Sequence, residues 1–162
     1  MTITNQNQNT DLTPEDAYAC ITKVTPGCNN DDLKKIIATD AYWSYEYAVN
    51  VIKGRFELAE QVIAKNPELA YDYAVNVIKG QFELGEPAML EIDDHYRAEL
   101  LYDYVTKYRH TRWHDAEFHI LQSDYCDSYI KFFNIADSDD NLTRLFTANG
   151  DPTRNFENGE KW

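Results

Sequence analysis

The strongest constraint on this chain is that it says nearly the same thing twice. The segment from Tyr45 to Glu60 returns 26 residues later as Tyr71 to Glu86. Of sixteen aligned positions three differ: Glu46 becomes Asp72, Arg55 becomes Gln81 and Ala59 becomes Gly85. A unit this short cannot bury its own apolar face and must stack on further copies. Weaker copies do flank it. Tyr102-Asp-Tyr-Val105, Trp113, Ala116-Glu117 and Ile120-Leu121 match Tyr71-Asp-Tyr-Ala74, Phe82, Gly85-Glu86 and Met89-Leu90 at a constant offset of 31. Upstream, Ile36-Ile37-Ala38 sits 26 residues before Val62-Ile63-Ala64. The pattern predicts an all-α fold, a short solenoid-like stack of helical hairpins with divergent caps. It amounts to about three and a half units of roughly 26–31 residues.

Local signals place the hairpins. Thr13-Pro-Glu-Asp16 reads as a capped helix start, with Pro14 at the first helical position. Asp40 is the expected cap of the first strong helix, over 41–53, and a second follows over 57–65. Asn66 and Pro67 restart the pattern, and Pro87 forces the partner helix to begin late, near Gly85. Gly54 and Gly80, just past their helices, are expected to take the left-handed conformation. Thr111 stands where the third unit lacks its glycine, so a different turn is expected there. At about 100° per residue, Tyr45, Ala48, Val49 and Ile52 form one apolar stripe, with Tyr47 and Val51 nearly opposite. That leaves a recurrent polar strip: Glu46, Asn50 and Lys53; Asp72, Asn76 and Lys79; then Asp103, Lys107 and His110. Residues 1–12 are polar and expected to be disordered, 13–146 form one domain, and 147–162 read as a polar tail.

Charge and cysteines narrow the function classes. The net charge is −13, from 28 acidic against 15 basic side chains, which argues against direct binding to phosphate backbones. It suits a partner with a basic surface, a polyanion mimic, or plain solubility. No apolar run is long enough for a membrane span, and no secretory leader is visible. Three cysteines, Cys20, Cys28 and Cys126, without a close-spaced pair fit a reducing cytoplasm.

Catalytic patterns are missing. The four histidines all fall between His95 and His119, beside Asp93, Asp94, Asp115 and Glu117. Yet His110 and His114 straddle a helix boundary, and His114 and His119 do not share a face. No metal, cofactor or nucleophile motif is present, so no catalytic residue, cofactor or metal ligand is assigned. Val-Ile-Lys-Gly is read as a helix end rather than a phosphate loop. Tyr47 and Tyr73 are read as packing between units rather than as stacking platforms for bases.

The repeat Tyr-x-Tyr-Ala-x-x-Val-Ile-Lys-Gly-[Arg/Gln]-Phe-x-x-[Ala/Gly]-Glu, with Asn66-Pro67-Glu68 between copies, resembles tandem repeats of large tailed bacteriophages. The resemblance covers residues 40–92 and extends loosely to 121. It implies an accessory protein acting in the cytoplasm of an infected bacterium, and it carries over no catalytic residue. The leading expectation is a non-enzymatic interaction module, monomer or homo-oligomer, that binds and modulates a host (defence) protein. A nucleic-acid mimic, a small enzyme or ligand binder using the cluster at 93–119, and a phage assembly component are the alternatives. The candidate partner-binding residues are Glu46, Asn50, Lys53, Asp72, Asn76 and Asp103 of the strip, with the acidic run Asp137, Asp139 and Asp140.

Overall fold

The structure, a computed structural model, describes residues 12–23, 30–136 and 139. Among these residues every regular element is helical, as the repeat requires. The expectations for residues 1–11 and 147–162 lie outside the described residues. The chain divides into two compact units, Met1–Ile92 and Asp93–Trp162.

The first unit contains α1 (Pro14–Thr22), α2 (Asn30–Ile37), α3 (Ala41–Glu46), α4 (Glu60–Ile63), α5 (Pro67–Tyr73) and α6 (Glu86–Met89). Their starts follow from the sequence. Thr13 Oγ1 accepts from Asp16 N at 3.1 Å while Asp16 accepts from Thr13 N at 3.4 Å, a reciprocal capping box. Asp40 accepts from Trp43 N, and Asn66 from Leu69 N, both at 2.9 Å. Pro87 falls in the first turn of α6, behind a 3₁₀ turn over Glu83–Gly85, so the late start is observed.

The helices that open each repeat do not run as α-helix to their ends. After α3 the chain widens into a π-helix over Tyr47–Ile52, and after α5 into another over Ala74–Ile78. Each closes on a left-handed residue, and that residue is not the glycine. Lys53 has φ 55° and Lys79 φ 54°, whereas Gly54 and Gly80 lie outside the left-handed region. The wider turn uses up one residue more, so the reversal falls one position early. Gly54 N then reaches back to Ala48 O at 3.1 Å. A Cβ on Gly54 would meet only Ile52 Cγ2, at an ordinary 3.8 Å. The expected stripe is altered for the same reason. A 100° phase does not hold in a π-helix, and Ile52 is exposed while Tyr47 and Ala48 are buried.

The core of this unit is built from small residues at close helix contacts and rings that fill the hairpins. Ala48, Ala59, Ala70 and Ala74 are all wholly buried. Tyr47 packs on Phe56 with centroids 5.0 Å apart, and Tyr73 packs on Phe82 at 5.2 Å in the next hairpin. The two hairpins differ at one core position. Ala59 fits in the first, but a Cβ on Gly85 would stand 2.9 Å from Ala70 Cβ and 2.6 Å from the Phe82 ring.

The second unit contains α7 (Asp94–Tyr104), α8 (His114–Leu121), which carries the weaker copy over 116–121, and α9 (Cys126–Phe133). Here α7 widens into a π-helix over Val105–Arg109 and closes on His110 at φ 57°. The third turn shares the π-helix and the left-handed residue of the first two, but it differs in its closure. Among the described residues Thr111 N makes no bond like that of Gly54 N to Ala48 O, and Arg109 Nη1 instead donates to Thr111 O at 2.9 Å. Thr111 replaces glycine without strain because the left-handed position is the one before it. Tyr104 meets Trp113 at 5.8 Å, repeating the Tyr–Phe contact of the earlier hairpins.

Candidate interaction surface

A charged latch recurs where one hairpin meets the next. In the first unit Arg55 forks onto Glu60, with Nε and Nη2 each 2.8 Å from a carboxylate oxygen. Tyr73, arriving from the next repeat, donates its hydroxyl to Glu60 Oε1 at 3.1 Å and accepts from Phe56 N at 2.7 Å. The hydroxyl thus satisfies a buried backbone N–H and a largely buried carboxylate at the helix junction. The second unit repeats the arrangement. Arg112 forks onto Glu117 at 2.6 and 3.0 Å, and Tyr129 donates to Glu117 at 3.0 Å and accepts from Trp113 N at 3.4 Å. Burial raises the pKa of both tyrosines well above the phenol range, and the neighbouring glutamate adds to the effect. Gln81 and Glu86 hold the equivalent positions in the middle hairpin, 2.9 Å apart.

The two charged latches differ in how far they are closed. Glu117 is wholly buried, and Arg112 also binds Asp139, with Nη1 at 2.7 Å from Oδ2 and Nη2 at 3.5 Å from Oδ1. Asp139, one of the candidate partner residues, is thereby committed inside the fold. Asp137 and Asp140 lie outside the described residues. Arg55, by contrast, leaves 52% of its side chain exposed and makes no second ion pair among the described residues. Arg55 lines an open cleft of about 540 Å³ together with Glu60, Gln81, Phe82, Glu83 and Leu84.

Beside that cleft the structure exposes a feature the sequence reading passed over. Residues 57–59 and 83–85 form 3₁₀ turns rather than α-helix. They turn the same pair outward twice: Glu57-Leu58 and Glu83-Leu84. Leu58 is 58% exposed and Leu84 41%. Pro87 was the available signal, because a helix that begins at Glu86 frees the residues before it from the helical phase.

The polar strip is only partly on the surface. Asn50, Lys53 and Asn76 are exposed, while Glu46, Asp72 and Asp103 are half-buried. Asn50 donates to Glu46 at 2.8 Å, and Lys107 pairs with Asp103 at 2.5 Å. Asn76 donates to the Tyr45 hydroxyl at 2.9 Å, so in the first unit the strip of the second repeat touches the first repeat. Partial burial, with Glu68 nearby, raises the Asp72 pKa.

The histidine cluster does not converge. His110 and His114 are exposed, His95 stacks edge-on against Tyr96, and His119 lies 3.4 Å from Arg97. Among the described residues no group of three or more His, Cys, Asp or Glu is placed to hold a metal ion. Cys126 is buried and Cys20 half-buried, and Cys28 lies outside the described residues. Tyr47 and Tyr73 are both buried, so their rings serve packing and not base stacking. No described helix is long and apolar enough to cross a membrane. Comparison of the chain with protein-family models, with curated proteins and with solved structures finds no match.

Proposed function

We propose that this chain is a non-enzymatic interaction protein, a bacteriophage accessory product that binds a bacterial protein with a basic surface, such as a defence component, in the host cytoplasm. One observation carries the reading: the acid–leucine pair Glu57-Leu58 and its copy Glu83-Leu84 stand exposed at equivalent positions of successive hairpins. A lone exposed leucine has no special meaning, but the same exposed apolar residue beside the same acid, repeated on a rigid scaffold, is what an extended binding surface requires. The exposed strip residues Asn50, Lys53 and Asn76 add polar contacts, and the net charge of −13 favours encounter with a basic target.

The test is affinity capture from bacterial lysate with the native chain and with Leu58→Lys, Leu84→Lys. The variant changes only exposed positions and should keep the helical signal and melting temperature. A single stoichiometric protein retained by the native chain and lost by the variant is the expected result, with capture weakening as salt rises. If the variant captures that protein equally well, the exposed pairs do not bind it. If the native chain captures only itself or phage particle proteins, the chain is an assembly component instead.

A further inference from the structure

The two latches together point to what enters the open cleft. At Arg112 the Nε–Nη2 edge of the guanidinium holds Glu117, and the second edge, Nη1–Nη2, holds the carboxylate of Asp139. At Arg55 the Nε–Nη2 edge holds Glu60 in the same way, the second edge makes no hydrogen bond or ion pair among the described residues, and Arg55 lines the cleft of about 540 Å³. The protein thus contains, within itself, the occupied form of the site that is open at Arg55. We propose that the Arg55 cleft is a carboxylate-binding site that takes an acidic side chain of a protein partner, flanked in the partner by lysine or arginine.

The flanking charges follow from what surrounds Arg55. Glu60, and after it Tyr73 and Glu57, raise the Arg55 pKa, so Glu57 adds negative charge near the guanidinium, and Glu83 lines the cleft; Glu57 and Glu83 are both exposed. A bare carboxylate approaching Arg55 meets repulsion from both, on a chain that is already strongly acidic. A carboxylate with a cation on either side meets opposite charge at each contact: acid on Arg55, bases on Glu57 and Glu83. A guanidinium fork binds one carboxylate oxygen per N–H in its plane, which gives the site direction as well as charge. Glu83 does not fill the Arg55 edge, since it makes no ion pair among the described residues. The exposed Leu84 at the rim supplies apolar contact for the side-chain stems of the flanking bases.

This inference deepens the interaction reading by naming its anchor, and it is tested separately from capture. The probes are two capped tripeptides, acetyl-Lys-Asp-Lys-amide and acetyl-Lys-Asn-Lys-amide, titrated into the native protein at constant ionic strength. The readout is the arginine Nε–Hε nuclear magnetic resonance signal. The Arg55 signal should shift saturably with the aspartate peptide, at an affinity about tenfold above the asparagine peptide, the worth of one exposed charge-assisted pair. The Arg112 signal should stay in place, because Asp139 already holds its second edge. Equal response to both peptides would mean that only the lysines are attracted, and would overturn the proposal. No saturable shift at Arg55, or an equal shift at Arg112, would overturn it too. Failure here together with successful capture would leave the partner reading intact and remove only its anchor.

Discussion

Arg55 and Arg112 occupy the same position in two hairpins, and each forks onto a glutamate five residues on that also accepts from a tyrosine of a later helix. Their surroundings separate them. Around Arg112 the glutamate is fully buried and a second carboxylate covers the guanidinium, while around Arg55 about half the side chain stays in water. The same motif has thus been closed at one junction and left open at another. A closed latch can only hold helices together, whereas an open one does so and still presents a charged edge to a partner.

The largest expected difference follows from burial. Glu117→Ala strips a buried partner from both Arg112 and the Tyr129 hydroxyl, and should cost about 3–5 kcal/mol in urea unfolding. Glu60→Ala also strips the Tyr73 hydroxyl but leaves Arg55 to water, and should cost less, about 1–3 kcal/mol. Equal costs would mean that the two latches are energetically the same and that the open one is not open in solution.

The tyrosine hydroxyls sharpen the comparison. Tyr73→Phe leaves Phe56 N without its acceptor and should cost about 1–3 kcal/mol. The shared pH signature has a fixed sign. Both hydroxyls have folded pKa values raised above the ordinary 10.0, so the fold binds more protons than the unfolded chain at alkaline pH. Their stabilisation is present in full below that ordinary value and is lost as pH rises above it. Urea midpoints should fall as pH rises above about 10, and the fall should shrink in the Tyr73→Phe, Tyr129→Phe variant.

Glycine substitutions test the turn and core readings in the first unit. Gly85→Ala drives a Cβ into Ala70 and Phe82, and should destabilise by about 1–3 kcal/mol. Gly54→Ala should stay within about 0.5 kcal/mol, since the left-handed residue is Lys53. The smallest effect belongs to Asp72. Its raised pKa means that the charged form is disfavoured in the fold, so Asp72→Asn should raise the melting temperature by at most about 2 °C at neutral pH. That gain should vanish as pH drops below the carboxylate range, where both forms are neutral.

The repeat made the helical hairpins legible because identical segments must adopt the same structure. The caps at Thr13, Asp40 and Asn66 were legible because each is a local hydrogen bond between near neighbours. What the sequence reading missed are consequences of helix phase. The π-turns add a residue that no side chain announces, and they moved the left-handed position from Gly54 to Lys53 and turned Ile52 outward. The latch was partly visible, as a basic or amide residue, an aromatic and a glutamate recurring at 55–60, 81–86 and 112–117. Its closing tyrosine was not, because Tyr73 reads as an apolar ring until its hydroxyl is placed. Asp139 joined the candidate surface as one of a run of acids, and only the packing of Arg112 shows it facing inward.

The most direct test of the division between open and closed latches is hydrogen–deuterium exchange of the native chain, alone and with its captured partner. Backbone protection gained on binding should fall at Arg55–Leu58 and Gln81–Leu84, with Arg112–Glu117 unchanged. Protection confined to Arg112–Glu117, or to residues beyond Ile135, would contradict the account and assign binding to the other end of the chain.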